Sequence, residues 1–347
     1  MSAKRIDHSW ESESPGKKKS VSSKTTDPGL PLEIIFSEEI PIHDKAWLAA
    51  IAHLRKWRTR RINQLLADIQ TRKISIEAFF NLGEEDWASE FGLDAKQCDG
   101  LFAAQSQLLL TSDIVERMEQ AGFEILSQKS AEYPRRLIQN LGKAAAPPVL
   151  YLGGDLELLN QPSIAVVGSR KASENALAFT EYIAQRAVEQ DQIVVSGFAK
   201  GVDRKALDST LDAGGKSVIV LPQGVMTCGN SLVKYQDAVS TGKALVFSTF
   251  HPKTPWRVGA AMRRNAFVYG LADEIYIAES GDSGGTWSGA IDGLRKKRQI
   301  FVRQPNVNEK NANAKLIARG ATAIGYDGQI TKSSAPKQTD LFDETGI

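Results

Sequence analysis

Cysteine and histidine are scarce in this chain of 347 residues. It has two cysteines, Cys98 and Cys228, and four scattered histidines, and none of them shares the spacing of a metal-binding motif. A disulfide framework or a zinc site needs several such residues at short, repeated spacings. The composition therefore argues against both, and we expect no metal.

Long apolar runs are also missing. No run approaches the roughly 18 residues that a membrane span requires, and the charged N-terminus lacks the apolar segment of a signal peptide. We expect no membrane contact and a cytoplasmic location. The formal net charge is only +2, so any surface that attracts an anionic partner must be local.

Positive charge is concentrated in two short runs. Arg55–Arg61 holds five cations in seven residues, and Arg295–Arg298 is a second run. Such runs fit either a solvated helix face or a contact with nucleic acid. Both interpretations stay open at this point.

The pattern of the chain changes along its length. Residues 1–30 are polar and rich in Ser, Lys, Asp and Pro, which predicts disorder. Helical periodicity from Trp47 to Met118 predicts a small helical domain over residues 31–125, of the helix-hairpin-helix or SAM-like kind. Residues 126–330 form the main domain, and the polar residues 331–347 a flexible tail.

Strands and helices alternate in the main domain after an extended, proline-containing connector. Ser163–Arg170, Ile193–Asp203 and Ile275–Thr286 each contain an apolar strand that runs into a glycine-containing polar turn and then a helix. Further strands are predicted at Val218–Leu221, Ala244–Ser248 and Ile300–Val302. This alternation predicts an α/β fold with a doubly wound, mostly parallel sheet.

In such a sheet, the turns after the strands meet at one edge, where ligands bind. Glycines let backbone N–H groups approach a ligand closely, and helix N-termini favour anions. Arg170 and Lys200 add full positive charge to two of these turns. The predicted ligand therefore carries phosphates.

The order of these motifs resembles the DprA family of bacterial DNA-processing proteins from Tyr133 to Ile324. The residues that carry the resemblance include Tyr133-Pro134, Pro147–Tyr151, Val167–Arg170, Ser196–Asp203, Gly214-Gly215, Arg264-Asn265, Gly270–Asp273, Ser283-Gly284, Leu316-Ile317 and Gly320-Ala321. The resemblance implies an extended Rossmann-like fold that binds single-stranded DNA. It also implies a homodimer that loads a RecA-type recombinase, with no catalytic turnover and no cofactor.

Charge, resemblance and turn chemistry together give a set of candidate DNA-binding residues. Arginines and lysine would contact phosphates, glycine N–H groups would donate to phosphate oxygens, and Asn265 and Ser283 would reach sugars, phosphates or base edges. Phe198 fits either a stacking surface or the core. The set is Gly168, Ser169, Arg170, Gly197, Phe198, Lys200, Gly201, Asp203, Arg263, Arg264, Asn265, Ser283 and Gly284.

The chain departs from the family pattern at several positions. Leu207 stands where the family usually has His, Ala266 where it has a second Arg, and Ala314 where it has Asn. The usual Tyr-Pro pair is absent around 225–230, and we expect no C-terminal winged helix. The resemblance is therefore to a divergent member.

The tail contains a separate motif. Gln338-Thr-Asp-Leu-Phe342 resembles the pentapeptide with which bacterial replication and repair proteins dock into the sliding clamp. Gln338 would hydrogen-bond, while Leu341 and Phe342 would anchor in an apolar groove.

Three functions remain open on the sequence. The first is a non-enzymatic single-stranded DNA-binding protein of recombination, natural transformation or the response to foreign DNA. The second is a nucleotide sensor or nucleotide phosphoribohydrolase-like enzyme, for which Ser283–Thr286 resembles a phosphate loop and Glu279 and Asp282 are nearby carboxylates. The third is an adaptor without DNA binding. For a dimer, Leu294 and Leu316 are apolar positions that fit either the dimer surface or the core.

Overall fold

A nine-stranded sheet lies at the centre of the computed structural model, which describes residues 42–331. The strands are β1 (Glu124–Ser127), β2 (Val149–Gly154), β3 (Ser163–Gly168), β4 (Ile193–Ser196), β5 (Ser217–Val220), β6 (Ala244–Ser248), β7 (Glu274–Glu279), β8 (Gln299–Arg303) and β9 (Thr322–Ile324). Their order across the sheet is β1-β2-β6-β5-β4-β3-β7-β8-β9.

The seven strands β6-β5-β4-β3-β7-β8-β9 are parallel to their neighbours, and β2 and β1 continue the sheet beyond β6 with antiparallel pairing. The chain runs outward from β3 through β4 and β5 to β6, then returns to the other side of β3 to form β7. This reversal makes β3 and β7 the topological switch point of the sheet. The predicted doubly wound, mostly parallel α/β fold is confirmed.

The helices fall into two groups. Six of those described precede the sheet: α1 (Ile42–Ala52), α2 (Thr59–Thr71), α3 (Ile76–Phe80), α4 (Glu84–Phe91), α5 (Ala95–Ser106) and α6 (Leu108–Gln120). The others alternate with strands: α7 (Arg135–Leu141), α8 (Glu174–Glu189), α9 (Val202–Asp212), α10 (Gln236–Ser240), α11 (Val258–Leu271), α12 (Gly284–Arg295) and α13 (Asn313–Ala318).

Strand alternation explains how the sheet is covered on both faces. In β3, Ala165 and Val167 pack into one core with residues of α7, α11 and α12, while Ile164 and Val166 pack on the opposite face with α8 and α9. Successive side chains of a strand point to opposite faces, so a strand that is buried on both sides must be apolar throughout.

The first six helices have an aromatic core of their own around Trp47, Phe79, Phe80 and Trp87. Ala49 and Ala52 of α1 and Val115 and Met118 of α6 also pack against Ile125, Val149 and Tyr151 of the sheet. The helical segment and the edge strands therefore share a core. The division at residue 125 stays a prediction, and β1 begins one residue earlier.

The strands and helices predicted after residue 163 match the structure closely, although β9 was not predicted. Ser173 caps α8 by accepting a hydrogen bond from the Ala176 N–H, as the sequence indicates. The connector around Tyr133 and Pro147 instead contains β2, which the sequence reading missed together with β1. The Tyr133 hydroxyl donates to the Pro147 carbonyl at 2.8 Å, which ties the two family motifs together.

The structure also bears on the expectations for membranes and dimers. None of the helices within residues 42–331 is long and apolar enough to cross a membrane.

Leu316 is fully buried and Leu294 packs half-buried against the main core. Core packing therefore accounts for Leu316, which is not accessible to a dimer surface.

Candidate functional site

The turns after β3 and β7 meet at the switch point, where they border a cavity of about 520 Å³. Residues from these turns, the start of α9 and one face of α11 line it. We call it the switch-point cavity. The predicted residues in its lining are Gly168, Ser169, Arg170, Asp203, Arg264, Asn265, Ser283 and Gly284.

Backbone hydrogen bonds hold the turns of β3 and β4 in place. The Ser169 N–H donates to the Glu279 carbonyl at 2.9 Å, and the Ser169 carbonyl accepts from the Val202 N–H at 3.2 Å. Gly201 has φ +78°, and a Cβ there would overlap the Ser169 carbonyl oxygen. Only glycine lets the start of α9 approach the β3 turn this closely.

The β4 turn contains Phe198 in the left-handed region, at φ +60°. The Ser196 hydroxyl accepts from the Phe198 N–H at 3.3 Å and donates to the Asp203 carbonyl at 2.7 Å. The guanidinium of Arg204 lies 4.0 Å from the Phe198 ring centroid. The ring is half-buried against Tyr235, so it belongs in part to the core.

A buried ion pair lies under the cavity. Arg264 Nη1 of α11 is 3.3 Å from Asp203 Oδ2 of α9, and the Arg264 side chain is only 3% exposed. A Cβ on Gly197 would overlap this guanidinium, so the β4 turn needs glycine to admit it. Arg264 Nε has no hydrogen-bond partner among the described residues.

Burial sets the protonation chemistry of this pair. It raises the pKa of Asp203, while Arg264 acts in the opposite direction by stabilising the carboxylate. Burial also lowers the pKa of the Arg264 guanidinium. Arg264 is therefore an interior group with one partner, whereas the sequence placed it among the exposed phosphate contacts.

The neighbouring Arg263 points elsewhere. It is exposed, and its guanidinium lies 5.7 Å from the Phe250 ring centroid. It lines a separate cavity of about 300 Å³, which we call the second cavity. Adjacent helix residues are about 100° apart around the axis, so two consecutive arginines of α11 serve different surfaces.

Hydrogen bonds to the start of α8 and to the end of β3 hold the β7 turn in place. Ser173 donates from its N–H and its hydroxyl to Glu279 Oε2, at 3.1 and 2.6 Å. The Thr286 hydroxyl donates to the Gly168 carbonyl at 3.2 Å. Ser283 and Gly284 are exposed at the start of α12. Glu279 is thus engaged in holding the turn.

Asn313 also supports the β7 turn, and the sequence reading missed it. This fully buried side chain accepts from the Ser280 N–H at 2.9 Å and donates to the Ala278 and Arg303 carbonyls. It stands one residue before Ala314, the position at which the family has Asn.

Arg170 and Lys200 reach the surface at the mouth of the site. Both are exposed, as is Lys171, and no carboxylate within residues 42–331 forms an ion pair with any of the three. A continuation of about 440 Å³ joins Arg170, Phe198 and Lys200 to Trp256. Trp256 is 48% exposed and was not among the predicted residues.

One further departure and one of the two basic runs have structural explanations. Leu207 is fully buried in the core between α9 and the sheet, where it replaces the family's His. In the run at 295–298, Arg298 donates to the Tyr269 and Ala272 carbonyls, and Arg295 pairs with Asp292. The predicted clamp-binding residues Gln338, Leu341 and Phe342 lie outside the described residues.

Residues 124–334 match the family model for DNA recombination-mediator protein A. The chain belongs to this family. The match spans the sheet, the switch-point cavity and all of the candidate DNA-binding residues. The helical segment precedes it.

Two relatives show the extent of the similarity. DNA processing protein DprA of Streptococcus pneumoniae is 30% identical over 158 residues, which cover 45% of this chain and 55% of that protein. Protein Smf of Synechocystis sp. is 25% identical over 225 residues, which cover 63% of this chain and 56% of that protein. The chain thus spans just over half the length of these relatives.

The X-ray structure of DprA from Streptococcus pneumoniae has a similar fold. It aligns with a TM-score of 0.66 at 23% identity and covers 82% of this chain and 95% of that one. The family's extended fold is therefore present here, and it reaches beyond the sheet into part of the helical segment.

Proposed function

We propose that this protein binds single-stranded DNA at the switch-point cavity and acts as a recombination mediator. The observation that carries the proposal is the cluster of exposed cations at 170, 171 and 200, which have no ion-pair partner in the described part of the chain and surround glycine-containing turns at the switch point. Family membership supports the same function.

Phosphates fit the charge of the site. Arg170 and Lys200 flank the cavity mouth, and no carboxylate in the described part of the chain forms an ion pair with either, so both can contact the backbone of a strand. Ser283 and Gly284 are exposed at the start of a twelve-residue helix, where an anion is favoured. Arg264 would donate to an entering phosphate oxygen from its buried Nε, which has no hydrogen-bond partner within residues 42–331.

Exposed apolar side chains beside these cations favour a single strand over a duplex. Trp256, Val258 and Met262 are each about half-exposed, and each borders a cavity that also contains Arg170. Unstacked bases lie on such side chains, whereas the bases of a duplex are stacked on one another and cannot reach them.

The test is a double substitution, Arg170→Ala with Lys200→Ala. We expect single-stranded DNA affinity to fall, and the slope of log affinity against log salt to become shallower by roughly 0.7 for each phosphate that the variant no longer neutralises. Fluorescence anisotropy across a salt series measures both. Unchanged binding and slope in this variant would refute the assignment of the site.

The matched control is Lys216→Ala with Lys243→Ala. These two exposed lysines immediately precede β5 and β6, at the amino ends of the parallel strands. The control therefore removes the same charge from a surface remote from the carboxyl ends, where the site lies. An equal loss of affinity in the control would show a general charge effect instead of a binding site.

We propose a non-enzymatic role, which the contacts of the nearby carboxylates support. Glu279 orients the Ser173 cap, Asp203 pairs with Arg264, and Asp282 lies 3.6 Å from Lys315. A nucleotide hydrolase needs a carboxylate that is positioned for catalysis, and each of these has a structural partner. Release of base from nucleoside monophosphates by the purified protein would contradict this proposal.

The partners are proposed on the resemblance. A cytoplasmic homodimer that loads a RecA-type recombinase fits the family, and Gln338, Leu341 and Phe342 fit the sliding clamp. Light scattering that shows a strict monomer would remove the dimer from this proposal. Failure of the protein to co-elute with the host recombinase or clamp at tens of micromolar would remove the respective partner.

A further inference from the structure

Four exposed cations at the turn between α1 and α2 are not used by the switch-point site. We call residues 55–60 the basic turn, and its exposed cations are Arg55, Lys56, Arg58 and Arg60. No carboxylate in the described part of the chain forms an ion pair with any of them. Arg61 is different, because it donates to the Phe91 and Gly92 carbonyls and so anchors α2.

The basic turn borders the second cavity. Thr59, which begins α2, lines this cavity of about 300 Å³ together with Phe250, His251 and Arg263. The cavity therefore joins the helical segment to α11 and to the loop after β6. Its lining contains the aromatic rings of Phe250, which is 8% exposed, and of the half-buried His251, beside the exposed cation of Arg263. Aromatic rings and cations occur together in sites that bind single-stranded nucleic acid.

The loop between β6 and α11 connects the second cavity to the switch-point site. Its first residues, 249–251, line the second cavity, and Trp256, five residues later, lines the space that contains Lys200 and Arg170. The loop also exposes Lys253 and Arg257, neither of which has an ion-pair partner within residues 42–331. Cations and aromatic rings thus continue from one cavity to the other.

We propose that the basic turn and the second cavity form a second contact for the same DNA strand, reached across the loop between β6 and α11. This inference rests on the proposed function and extends it, because it gives the helical segment a direct role in DNA binding. Interleaved aromatic rings and cations favour nucleic acid over an acidic protein, which would need charge alone.

The test compares a short with a long oligonucleotide, of about 6 and about 30 nucleotides, within and beyond the usual range of single-strand site sizes. In an Arg55→Ala, Arg58→Ala variant, affinity for the long strand falls about tenfold, as expected for two exposed charge interactions. Affinity for the short strand, which the switch-point cavity alone accommodates, stays within about twofold. The salt slope for the long strand becomes shallower by roughly 1.4.

Two further variants are controls for this result. Arg55→Lys with Arg58→Lys restores most of the long-strand affinity, because a point charge still meets the phosphates. The Lys216→Ala, Lys243→Ala control leaves both strands unaffected. Circular dichroism and thermal unfolding confirm that the exposed substitutions leave the fold intact.

The outcomes separate the inference from the proposed function. If the wild-type protein binds both strands and the Arg55→Ala, Arg58→Ala variant binds the long strand unchanged, the second contact is wrong and the switch-point site stands. The same holds if short and long strands weaken equally, because the turn would then act on a single site. If the wild type binds neither strand, the proposed function fails, and the second contact with it.

Discussion

Two buried arginines lie at the carboxyl edge of the sheet, and they differ in how fully their hydrogen-bonding groups are used. Arg303, at the end of β8, donates from Nε to the Ala278 carbonyl and from both Nη atoms to Glu309, and Nη1 also donates to the Tyr326 hydroxyl. Arg264, beside the switch-point cavity, has one contact to Asp203, and its Nε has no partner among the described residues.

The pKa values of the carboxylates in the two pairs are shifted in opposite directions. Hydrogen bonds from Arg303 lower the pKa of Glu309 to about 2, with further support from Asn175 and Asn311. Burial raises the pKa of Asp203 despite the charge of Arg264. A fully satisfied pair strengthens the structure, whereas a partly satisfied pair beside a cavity keeps bonding capacity for a ligand.

Replacing Glu309 should give the largest effect on stability. In Glu309→Gln, Arg303 remains fully buried without its counter-charge, so we expect a loss of about 3–5 kcal/mol in the free energy of unfolding at pH 7. Urea unfolding measures this loss. DNA affinity of the folded protein should stay close to that of the wild type, since Glu309 lies outside the switch-point cavity.

The pH dependence is the internal control for this prediction. Because the folded-state pKa of Glu309 is lowered from 4.5 to about 2, its contribution is present above about pH 4.5 and is lost as the pH falls towards 2. The difference between wild type and Glu309→Gln should therefore shrink over that range. A difference that is independent of pH would mean that the charge of Glu309 is not what stabilises Arg303.

Replacing Arg264 should lower the free energy of unfolding less than replacing Glu309 does, and should lower DNA affinity more. In Arg264→Met, we expect a loss of about 1–3 kcal/mol, because one hydrogen bond is removed and Asp203 can take up a proton. Single-stranded DNA affinity should fall about tenfold, as for the removal of one hydrogen bond to a charged group. Urea unfolding and anisotropy on the same preparation separate the two effects.

The pH dependence that Asp203 causes is the internal control for this prediction. Without Arg264, the pKa of Asp203 is raised further, so the contribution of Asp203 to the stability of this variant is present below its unfolded-state pKa and is lost as the pH rises through its folded-state pKa. Asp203→Asn combined with Arg264→Met removes this dependence. If Arg264→Met binds DNA as tightly as the wild type does, Arg264 is a structural residue like Arg303.

Much of the α/β part of the fold is readable from the sequence. Apolar strands of four to six residues that end in glycine-containing turns, as at Gly168 and Gly197, appear at the positions predicted. The exceptions are β1, β2 and the three-residue strand β9, which were missed. The antiparallel pairing of β1 and β2 is non-local, and the proline pair before Val149 indicates an extended connector as readily as a strand.

The candidate site was predictable in its location but only partly in its chemistry. The turns that carry Ser169, Lys200 and Ser283 all reach the carboxyl edge, because parallel strands with crossover helices leave no other place for them. Trp256 and the basic turn lie in other segments, and nothing in the local sequence links them to this edge. Only the packing of α1 and the loop after β6 brings them there.

The sequence by itself determined the parallel strands β3 to β8 and the edge at which the glycine turns and their cations collect, because strand periodicity and turn chemistry are local properties. The tertiary structure alone decided which cations are accessible at that edge. Arg263 and Arg264 are identical neighbours in the sequence, yet one is exposed beside Phe250 and the other is buried against Asp203. Consecutive residues of a helix point about 100° apart around its axis, and only the packing of α11 against the sheet decides which of the two side chains faces the interior.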